Sequence, residues 1–541
     1  MKRKLALFLI LAMTVSLAAC GEESDDPGAS EGLSQTTEEN STEEYFATDT
    51  GITYVIAEHL LHPYVDSHYD YSWDEEKQAA TVSLQYPEVG LSESEQGFYP
   101  ELTSALDELS KQLSESARSA FEELQFQFDG DYAENYQTGM ELEYTMNASF
   151  RRVDSHITSV LFDTFTYSTE GGSLGIGSAC YDSMYGDQLE LSDVIKDIDT
   201  FTDMVAADMQ ASYPDVTFDE DADWTEAVAD AAWTMDQDGV TVYLEPGEVS
   251  DGEFDLLTAH VTIANHEELF DENYLYELPD HYAERIALNI PYYLDLGRDG
   301  EEDRIIISSE VDEYDTYTKD VISVNGSEQE FDTYHYGMEA FCLYLDDDTY
   351  LYLYKAIDND YGCLTIYRLT ADGAELLGEE SYDLYEEELT KISEEEDEED
   401  EADVEYITHR IQLTDPDDYR MSVILQQLSS TLASDYFATG SDGLPVRQNP
   451  YWTIEGDWQF TTLSEVTGKL VESGQGEATD QEVTIPAGSR VTYIFSDGKY
   501  LADLELEDGT FVRIELDADT WPAAIDGTPI EEIFDGVIFA G

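Results

Sequence analysis

The chain has 541 residues, and 42% of them are hydrophobic, which is enough for the cores of about two to four domains and excludes a disordered protein. Its 123 acidic residues against 23 basic ones give a formal net charge of −100 at pH 7. That charge excludes nucleic acid and anionic lipid head groups as partners, because like charges repel. The 38 tyrosines favour half-buried strands over helices, so strands are expected to dominate.

Two explanations of the acidity stay open. The surface is selected to attract cations and basic proteins, or it is a general adaptation that keeps the protein soluble in its medium.

The N-terminus has the form of a lipoprotein signal peptide over residues 1–19. Basic residues at positions 2–4 precede an apolar segment at residues 5–15, which is shorter than the roughly 20 residues needed to span a bilayer. Leu-Ala-Ala-Cys at positions 17–20 resembles the cleavage site of bacterial lipoprotein precursors. The resemblance implies that Cys20 starts the mature chain, carries diacylglycerol and anchors the protein to the extracellular face of the cell membrane. The alternative is an ordinary signal peptide in which Cys20 is incidental.

The next segment, residues 20–45, contains Ser, Thr, Glu, Asp and Gly with hardly an apolar side chain. Such a segment buries too little apolar surface to offset the entropy that ordering would cost. It is therefore predicted to be a disordered acidic stalk.

Residues 46–170 are predicted to form an α+β domain. Apolar residues recur every three or four positions over residues 100–128, which indicates a long amphipathic helix, and Pro100 suits its first turn. Strands are predicted on both sides of the helix, at residues 69–73, 80–86, 140–149 and 157–167. The predicted fold class is therefore an antiparallel sheet with a long covering helix, followed by a mainly β C-terminal half.

Three stretches in and after this domain resemble one family: residues 157–160, 166–175 and 186–194. They are similar to the extracellular domain of RsiV-type anti-sigma factors, which also precedes the catalytic part of PdaC-type peptidoglycan deacetylases. The resemblance implies a PdaC-like domain over residues 46–170 and an RsiV C-terminal-like α+β part over residues 171–278. It places a helix and three extended stretches in the second part, at residues 199–211, 232–235, 239–249 and 254–263.

The chain departs from this family at the positions that carry the family's chemistry. The family turn ends in Gly-Gly-Ala-His, but Ser173 and Leu174 stand at the Ala and His positions, so a ligand role of that His is absent. A chain that starts at a lipidated Cys20 is expected to lack the cytoplasmic segment of an anti-sigma factor. None of the nine histidines forms the His-x-x-x-His metal site of the deacetylases, so that activity does not carry over.

Two further catalytic patterns are interpreted as coincidences. Residues 171–175 match Gly-x-Ser-x-Gly, but a nucleophile elbow needs a helix directly after the serine, and residues 176–185 have the pattern of a strand. Glu58, His59 and His62 resemble a metalloprotease motif, but the two histidines of that motif are four positions apart rather than three.

Three cysteines remain after Cys20, namely Cys180, Cys342 and Cys363. Strands predicted at residues 341–345, 350–356 and 364–369 form a meander, in which the outer two strands lie about 9.6 Å apart. That separation exceeds the reach of a disulfide between Cys342 and Cys363, so free buried thiols are predicted.

The β-rich domain predicted over residues 279–385 begins with an acidic loop. Asp295, Asp299 and Asp303 occupy positions one, five and nine of this loop, where oxygen ligands can wrap a calcium ion. The loop resembles the calcium loops of FG-GAP-type repeats, although Gly297 at position three contributes no carboxylate. It is either a calcium site or a solvated turn between strands.

Residues 386–404 are almost wholly acidic and are predicted to be a solvated linker. In the β-rich C-terminal domain predicted over residues 405–541, Asp-Gly pairs at 497–498 and 508–509 indicate hairpin turns between alternating runs. These hairpins resemble a small bacterial SH3-like barrel. One helix is predicted in this domain, over residues 421–433.

Together these features predict a membrane-anchored extracellular lipoprotein with a non-catalytic binding role in the cell envelope. The expected ligand is a wall glycan, such as peptidoglycan, or a basic protein such as lysozyme, which the negative surface would attract. Two alternatives stay open: a cell-wall hydrolase or esterase with a site that the sequence does not reveal, and a structural spacer.

Overall fold

The structure is a computed structural model, in which strands account for 54% of the described residues and helices for 18%. It describes residues 44–47, 53–56, 60–74, 79–130, 142–168, 171–219, 221–245, 247–250, 256–275, 281–300, 302–312, 316–346, 348–358, 361–381, 389–393, 404–411, 413–472, 475–517 and 520–539. The predicted fold class is confirmed, because an N-terminal sheet packs on one long helix and the C-terminal half is rich in strands. Cys20 and residues 20–43 of the predicted stalk lie outside the described residues.

The N-terminal region contains a sheet covered by the long helix. Strands β1 (Glu44–Ala47) and β2 (Thr53–Ile56) form a separate two-stranded sheet. The strands of the covered sheet in this region are β3 (Pro63–Asp74), β4 (Ala79–Leu91), β5 (Leu142–Val153), β6 (Ile157–Ser168) and β7 (Gly171–Asp182). Strands β3 to β7 lie side by side in chain order, antiparallel except for the parallel pair β4 and β5. A parallel pair needs a crossover, and the predicted helix, observed at Pro100–Gly130, supplies it. Its apolar face, which includes Leu102, Leu106 and Leu113, is buried against the sheet.

A smaller sheet follows, built from β8 (Ala232–Met235), β9 (Gly239–Leu244) and β10 (Leu257–Thr262) in the order β10-β9-β8. The helix Ile198–Ser212 packs on it, and the Asp197 side chain caps that helix by accepting a hydrogen bond from the Thr200 N–H. The helix and the strand at residues 232–235 predicted here from the family resemblance are therefore confirmed. The stretch predicted at residues 239–249 is a strand only as far as Leu244, and the last strand covers Leu257–Thr262 of the predicted 254–263. The Trp233 N–H donates to Ser178 Oγ, so this sheet lies against the N-terminal one.

The central region contains two sheets. Its strands are β11 (Tyr282–Ile286), β12 (Tyr292–Leu294), β13 (Asp303–Val311), β14 (Tyr317–Val324), β15 (Ser327–His335), β16 (Gly337–Tyr344), β17 (Thr349–Asp358), β18 (Tyr361–Thr370) and β19 (Gly373–Glu380). One sheet has the order β11-β16-β17-β18-β19 and the other the order β12-β13-β14-β15. The predicted meander β16-β17-β18 is confirmed. Cys342 and Cys363 lie on its outer strands and, like Cys180, are free and buried as predicted.

The C-terminal region contributes strands to three sheets. They are β20 (Leu389–Ser393), β21 (Val404–Ile411), β22 (Tyr419–Gln426), β23 (Ser430–Thr439), β24 (Pro445–Arg447), β25 (Trp452–Ile454), β26 (Gln459–Thr462), β27 (Val466–Val471), β28 (Ala478–Ile485), β29 (Arg490–Ser496), β30 (Leu501–Leu506), β31 (Phe511–Glu515), β32 (Ala524–Ile525), β33 (Thr528–Pro529) and β34 (Phe534–Asp535). Strands β32 and β33 form a two-stranded sheet of their own. Strands β20 and β21 extend the N-terminal sheet, with Tyr406 opposite Tyr69. The segment predicted as a linker thus contains a strand, and the chain after it returns to the first sheet.

The helix predicted over residues 421–433 is wrong. This segment forms the hairpin of β22 and β23, with Met421 opposite Asp435 and Leu425 opposite Thr431. Met421 and Leu425 are buried in the core of the C-terminal sheet, where β23 also pairs with β25. Pairing with a strand farther along the chain stabilises the extended form, which the local apolar spacing does not indicate.

The hairpin turns predicted in the C-terminal region are confirmed. They join β29 to β30 and β30 to β31. Gly498 and Gly509 have φ of 85° and 80°, a conformation that favours glycine and explains the Asp-Gly pairs.

Candidate functional site

The residues singled out from the sequence lie in separate places. Ser173 is exposed on β7, which continues as a strand to Asp182, so the expected strand after the serine is confirmed and the elbow geometry is absent. The His62 ring is hydrogen-bonded to Glu95, with 3.1 Å between Nδ1 and Oε1, while residues 58 and 59 lie outside the described residues.

The predicted calcium loop is closed by its own backbone hydrogen bonds. The Asp295 carboxylate accepts the N–H groups of Asp299 and Gly300, at 3.1 and 2.8 Å. Asp303 accepts from the Leu296 N–H at 3.1 Å and from Asn325 Nδ2 at 2.6 Å, and Asp299 is exposed. Calcium binding by Asp295, Asp299 and Asp303 stays a prediction.

A buried charged cluster lies between the N-terminal sheet, the small sheet and the central region. Arg151 on β5 makes two hydrogen bonds to the Asp236 carboxylate, at 3.1 and 3.2 Å, and a third to the Arg285 carbonyl oxygen at 3.3 Å. Glu284 on β11 lies 3.9 Å from the guanidinium, and the Tyr292 ring lies 4.7 Å from Arg151 Cζ. Each of the three charged side chains is at most 4% exposed, so they depend on one another for solvation.

Burial and neighbouring charges shift the pKa values of the two acids in this cluster in opposite directions. Burial favours the protonated form of Asp236, but Arg151 and His260 hold the pKa of Asp236 below its usual range. Burial raises the pKa of Glu284 to about 8, although Arg151 opposes the rise. The cluster therefore holds one firmly ionised carboxylate and one that titrates near neutral pH.

His260 on β10 continues the cluster towards the surface. Thr241 Oγ1 donates to Asp236 Oδ2 at 2.6 Å and lies 2.8 Å from His260 Nδ1. Because the hydroxyl proton is directed at an ionised carboxylate, the Thr241 oxygen accepts the Nδ1–H of His260. The other ring nitrogen, Nε2, faces Glu302 Oε1 at 3.1 Å and Asp238 Oδ1 at 3.4 Å.

This cluster is not apparent from the sequence because its members are distant along the chain. Arg151 and Asp236 are 85 positions apart. One signal was present: Arg151 and Arg152 are adjacent in a strand with alternating apolar residues, and both are buried in the structure. A buried arginine calls for a buried carboxylate, but nothing local indicates which of the 123 acidic residues supplies it.

No protein-family model and no curated protein matches the chain. Among solved structures, it is similar to a member of the DUF3298 family from Bacteroides fragilis NCTC 9343. The TM-score is 0.28 at 12% identity, over 38% of this chain and 94% of that one. It is also similar to a DUF3298 family protein from Pseudomonas aeruginosa PAO1, with a TM-score of 0.25 at 13% identity, over 43% of this chain and 96% of that one. The likeness is distant, and it is to the DUF3298 domain family rather than to RsiV or PdaC specifically.

In the part of the chain that the structure describes, no helix has both the length and the apolar character needed to cross a membrane.

Most of the basic side chains in the described part are already paired within the molecule. At least eleven of them form ion pairs with Asp or Glu: Lys111, Arg151, Arg152, Arg285, Lys319, Lys355, Arg368, Arg420, Arg447, Lys469 and Arg513. Only two of these, Lys111 and Lys469, have side chains more than half exposed in those pairs. In the part of the chain that the structure describes, the acidic side chains therefore far outnumber the basic ones that could pair with them.

Proposed function

We propose that this protein is a lipid-anchored extracellular lipoprotein with a non-catalytic binding role in the cell envelope, and that its ligand is a basic protein. The observation that carries the proposal is the pairing of the basic side chains inside the fold. Without the three basic residues of the predicted signal peptide, 20 basic residues face 123 acidic ones, a net charge of −103. Since most of those 20 are already paired, the outer surface offers a cationic ligand a predominantly negative field.

The two expected ligands differ in how well they suit this field. A basic protein such as lysozyme would be attracted over a distance of about a Debye length, which speeds association. A wall glycan would have to bind through hydrogen bonds and aromatic contacts, which the charge does not assist. The charge therefore favours the basic protein over peptidoglycan.

The proposal includes a distant relation of residues 46–276 to the RsiV-type extracellular domain and the PdaC-associated domain. Its support is the order of elements: β6, β7, the helix Ile198–Ser212 and β8 to β10 occur along the chain in the order that the resemblance predicts. RsiV-type proteins sense lysozyme, which agrees with a basic protein as the ligand. The proposed location is the outer face of the cell membrane, through a lipid on Cys20.

The test is a binding measurement with the purified full chain against lysozyme and against purified peptidoglycan at physiological ionic strength. Lysozyme is expected to bind, with an affinity that falls about tenfold between about 50 and about 200 mM NaCl because salt screens the attraction. Lysozyme with acetylated lysines is the matched control, since it keeps its shape but loses positive charge, and it is expected to bind weakly.

Each other outcome removes part of the proposal. Equal binding of native and acetylated lysozyme would show that charge is not the cause. Binding of peptidoglycan alone would assign the glycan as ligand, and binding of neither would leave the structural spacer.

A further inference from the structure

We propose that Asp238, His260 and Glu302 form a binding site for a divalent transition-metal ion, and that the ligand set favours zinc. An imidazole nitrogen and two carboxylate oxygens are all ordinary zinc ligands, and the three candidate ligand atoms lie within 4.8 Å of one another. This site is independent of the proposed binding of a basic protein. It lies next to the predicted calcium loop but uses none of the three aspartates of that loop.

The two distances from the histidine nitrogen to the carboxylate oxygens fit a tetrahedral ion. With metal–ligand bonds of about 2.0–2.1 Å and tetrahedral angles, neighbouring ligand atoms are about 3.3 Å apart. His260 Nε2 lies 3.1 Å from Glu302 Oε1 and 3.4 Å from Asp238 Oδ1. Three protein ligands of this kind would leave the fourth position of the ion for water.

The histidine ring is held in the orientation that a metal requires. His260 is fully buried, and its Nδ1–H is directed to Thr241, which in turn donates to Asp236. This hydrogen-bond chain fixes the ring with Nε2 towards the two carboxylates, as in metal-bound histidines that donate their other N–H to a polar group. Burial lowers the pKa of His260, but the charges of Glu302 and Asp238 raise it to about 10, so an ion binds by displacing the proton on Nε2. His260 Nε2 and Glu302 Oε1 are both buried atoms without a hydrogen-bond partner, although they lie close together. A buried imidazole nitrogen aimed at two carboxylates without hydrogen-bond geometry is the second, independent indication of a ligand.

The backbone next to the histidine is shaped for this arrangement. A Cβ atom built on Gly239 would lie 2.4 Å from His260 Nε2 and 2.4 Å from the Val261 carbonyl oxygen. Any side chain at this position would therefore occupy the space in front of the nitrogen. Because a glycine directly follows Asp238, the β9 backbone can approach the His260 ring, and the Asp238 carboxylate can lie near Nε2.

The site is sealed on the histidine side and open on the carboxylate side. The side chains of Asp238 and Glu302 are each 19% exposed, whereas that of His260 is 0% exposed. An ion can therefore enter from solvent past the two carboxylates. Because Asp238 and His260 belong to the small sheet and Glu302 precedes β13 of the central region, the ion would tie these two parts together.

The competing occupant is a proton on Nε2, which would make His260 an imidazolium between two carboxylates. The test uses the full chain, stripped of metal with EDTA and dialysed, and then titrated with Co²⁺ as a spectroscopic probe for the zinc site. A tetrahedral Co²⁺ centre with a nitrogen ligand has a visible absorption band that hexahydrated or surface-bound Co²⁺ lacks. We expect one such band, saturating at one ion per chain and displaced by Zn²⁺, together with a rise in Tm when Zn²⁺ is added.

The controls separate this site from general cation binding by an acidic surface. His281 lies between Asp417 and Asp346, at 2.7 and 3.7 Å, but its side chain is 28% exposed, so His281→Gln is the matched control and should keep the band. His260→Gln should abolish it. Asp238→Asn and Glu302→Gln change partly exposed side chains, and they should retain the wild-type circular dichroism while weakening Zn²⁺ affinity at least about tenfold.

Three results would overturn the proposal. One is the absence of the visible band in the wild-type protein at saturating Co²⁺. The second is a band of unchanged intensity and affinity in folded Asp238→Asn and Glu302→Gln. The third is a loss of the band in His281→Gln equal to the loss in His260→Gln.

Discussion

At the scale of single residues, Arg151 shows how this acidic chain uses a cation. Its guanidinium is 3% exposed and is paired with Asp236, which is 4% exposed. Burying two charges costs several kcal/mol for each ion, and their attraction offsets that cost only while both partners are present. The loss of one partner should therefore be more damaging than the loss of an exposed pair.

Arg151→Met is expected to lower the free energy of unfolding by about 3–5 kcal/mol, because it leaves Asp236 buried without its cation. Urea denaturation followed by circular dichroism measures the change. Lys469→Met is the matched control: it breaks the pair with Glu515, in which the two side chains are 52% and 75% exposed, and should cost less than about 1 kcal/mol. Equal losses in the two variants would contradict a special role of burial.

Glu284, in the same cluster, makes stability depend on pH. Burial raises the pKa of Glu284 to about 8 from the usual 4.5, so the folded state holds this proton more tightly than the unfolded state. The contribution of Glu284 to stability is therefore fully present below about pH 4.5 and is lost as the pH rises through about 8. Glu284→Gln, neutral in both states, should reduce the decline in stability between about pH 5 and about pH 8.

The measurement for Glu284 is a series of urea midpoints across this pH range for both proteins. Exposed Glu531→Gln is the control and should leave the profile of the wild type unchanged. Superimposable profiles of wild type and Glu284→Gln would show that Glu284 is ionised throughout in the folded state.

At the scale of secondary-structure elements, the sequence predicts what short-range contacts determine. The helix Pro100–Gly130 is predictable because its buried leucines, such as Leu102 and Leu106, recur within one turn of each other. The turns at Gly498 and Gly509 are predictable because a glycine after an aspartate supplies the positive φ that each turn needs.

Elements determined by distant partners were not predictable in the same way. Residues 421–433 have apolar spacing compatible with a helix, yet β22 and β23 are strands because β25 lies beside them. Nothing in residues 404–411 indicates that β21 pairs with β3 at the other end of the chain. The pairing of Arg151 with Asp236 is missing from the sequence analysis for the same reason: it is set by how two sheets pack, and neither segment alone specifies its partner.

At the scale of the whole molecule, two electrostatic effects compete. Ion pairs stabilise the fold, but the net charge of −100 produces repulsion among carboxylates over the whole surface. Salt weakens both effects. Salt screens the buried pairs, such as Arg151 with Asp236, only a little, and the exposed pairs contribute little to stability in any case. The main effect of salt is therefore to weaken the repulsion among the surface carboxylates.

The protein is therefore expected to become more stable as monovalent salt is added. Its Tm should rise by several degrees between about 10 mM and about 500 mM NaCl, because the Debye length shrinks from about 30 Å to a few ångströms. Differential scanning calorimetry in the presence of EDTA measures this, so that trace divalent cations do not contribute. Tetramethylammonium chloride at equal ionic strength should give the same rise if screening is the cause. A rise in Tm with NaCl alone would indicate specific sodium binding. A fall in Tm with both salts would show that exposed ion pairs stabilise this fold by more than the surface repulsion destabilises it.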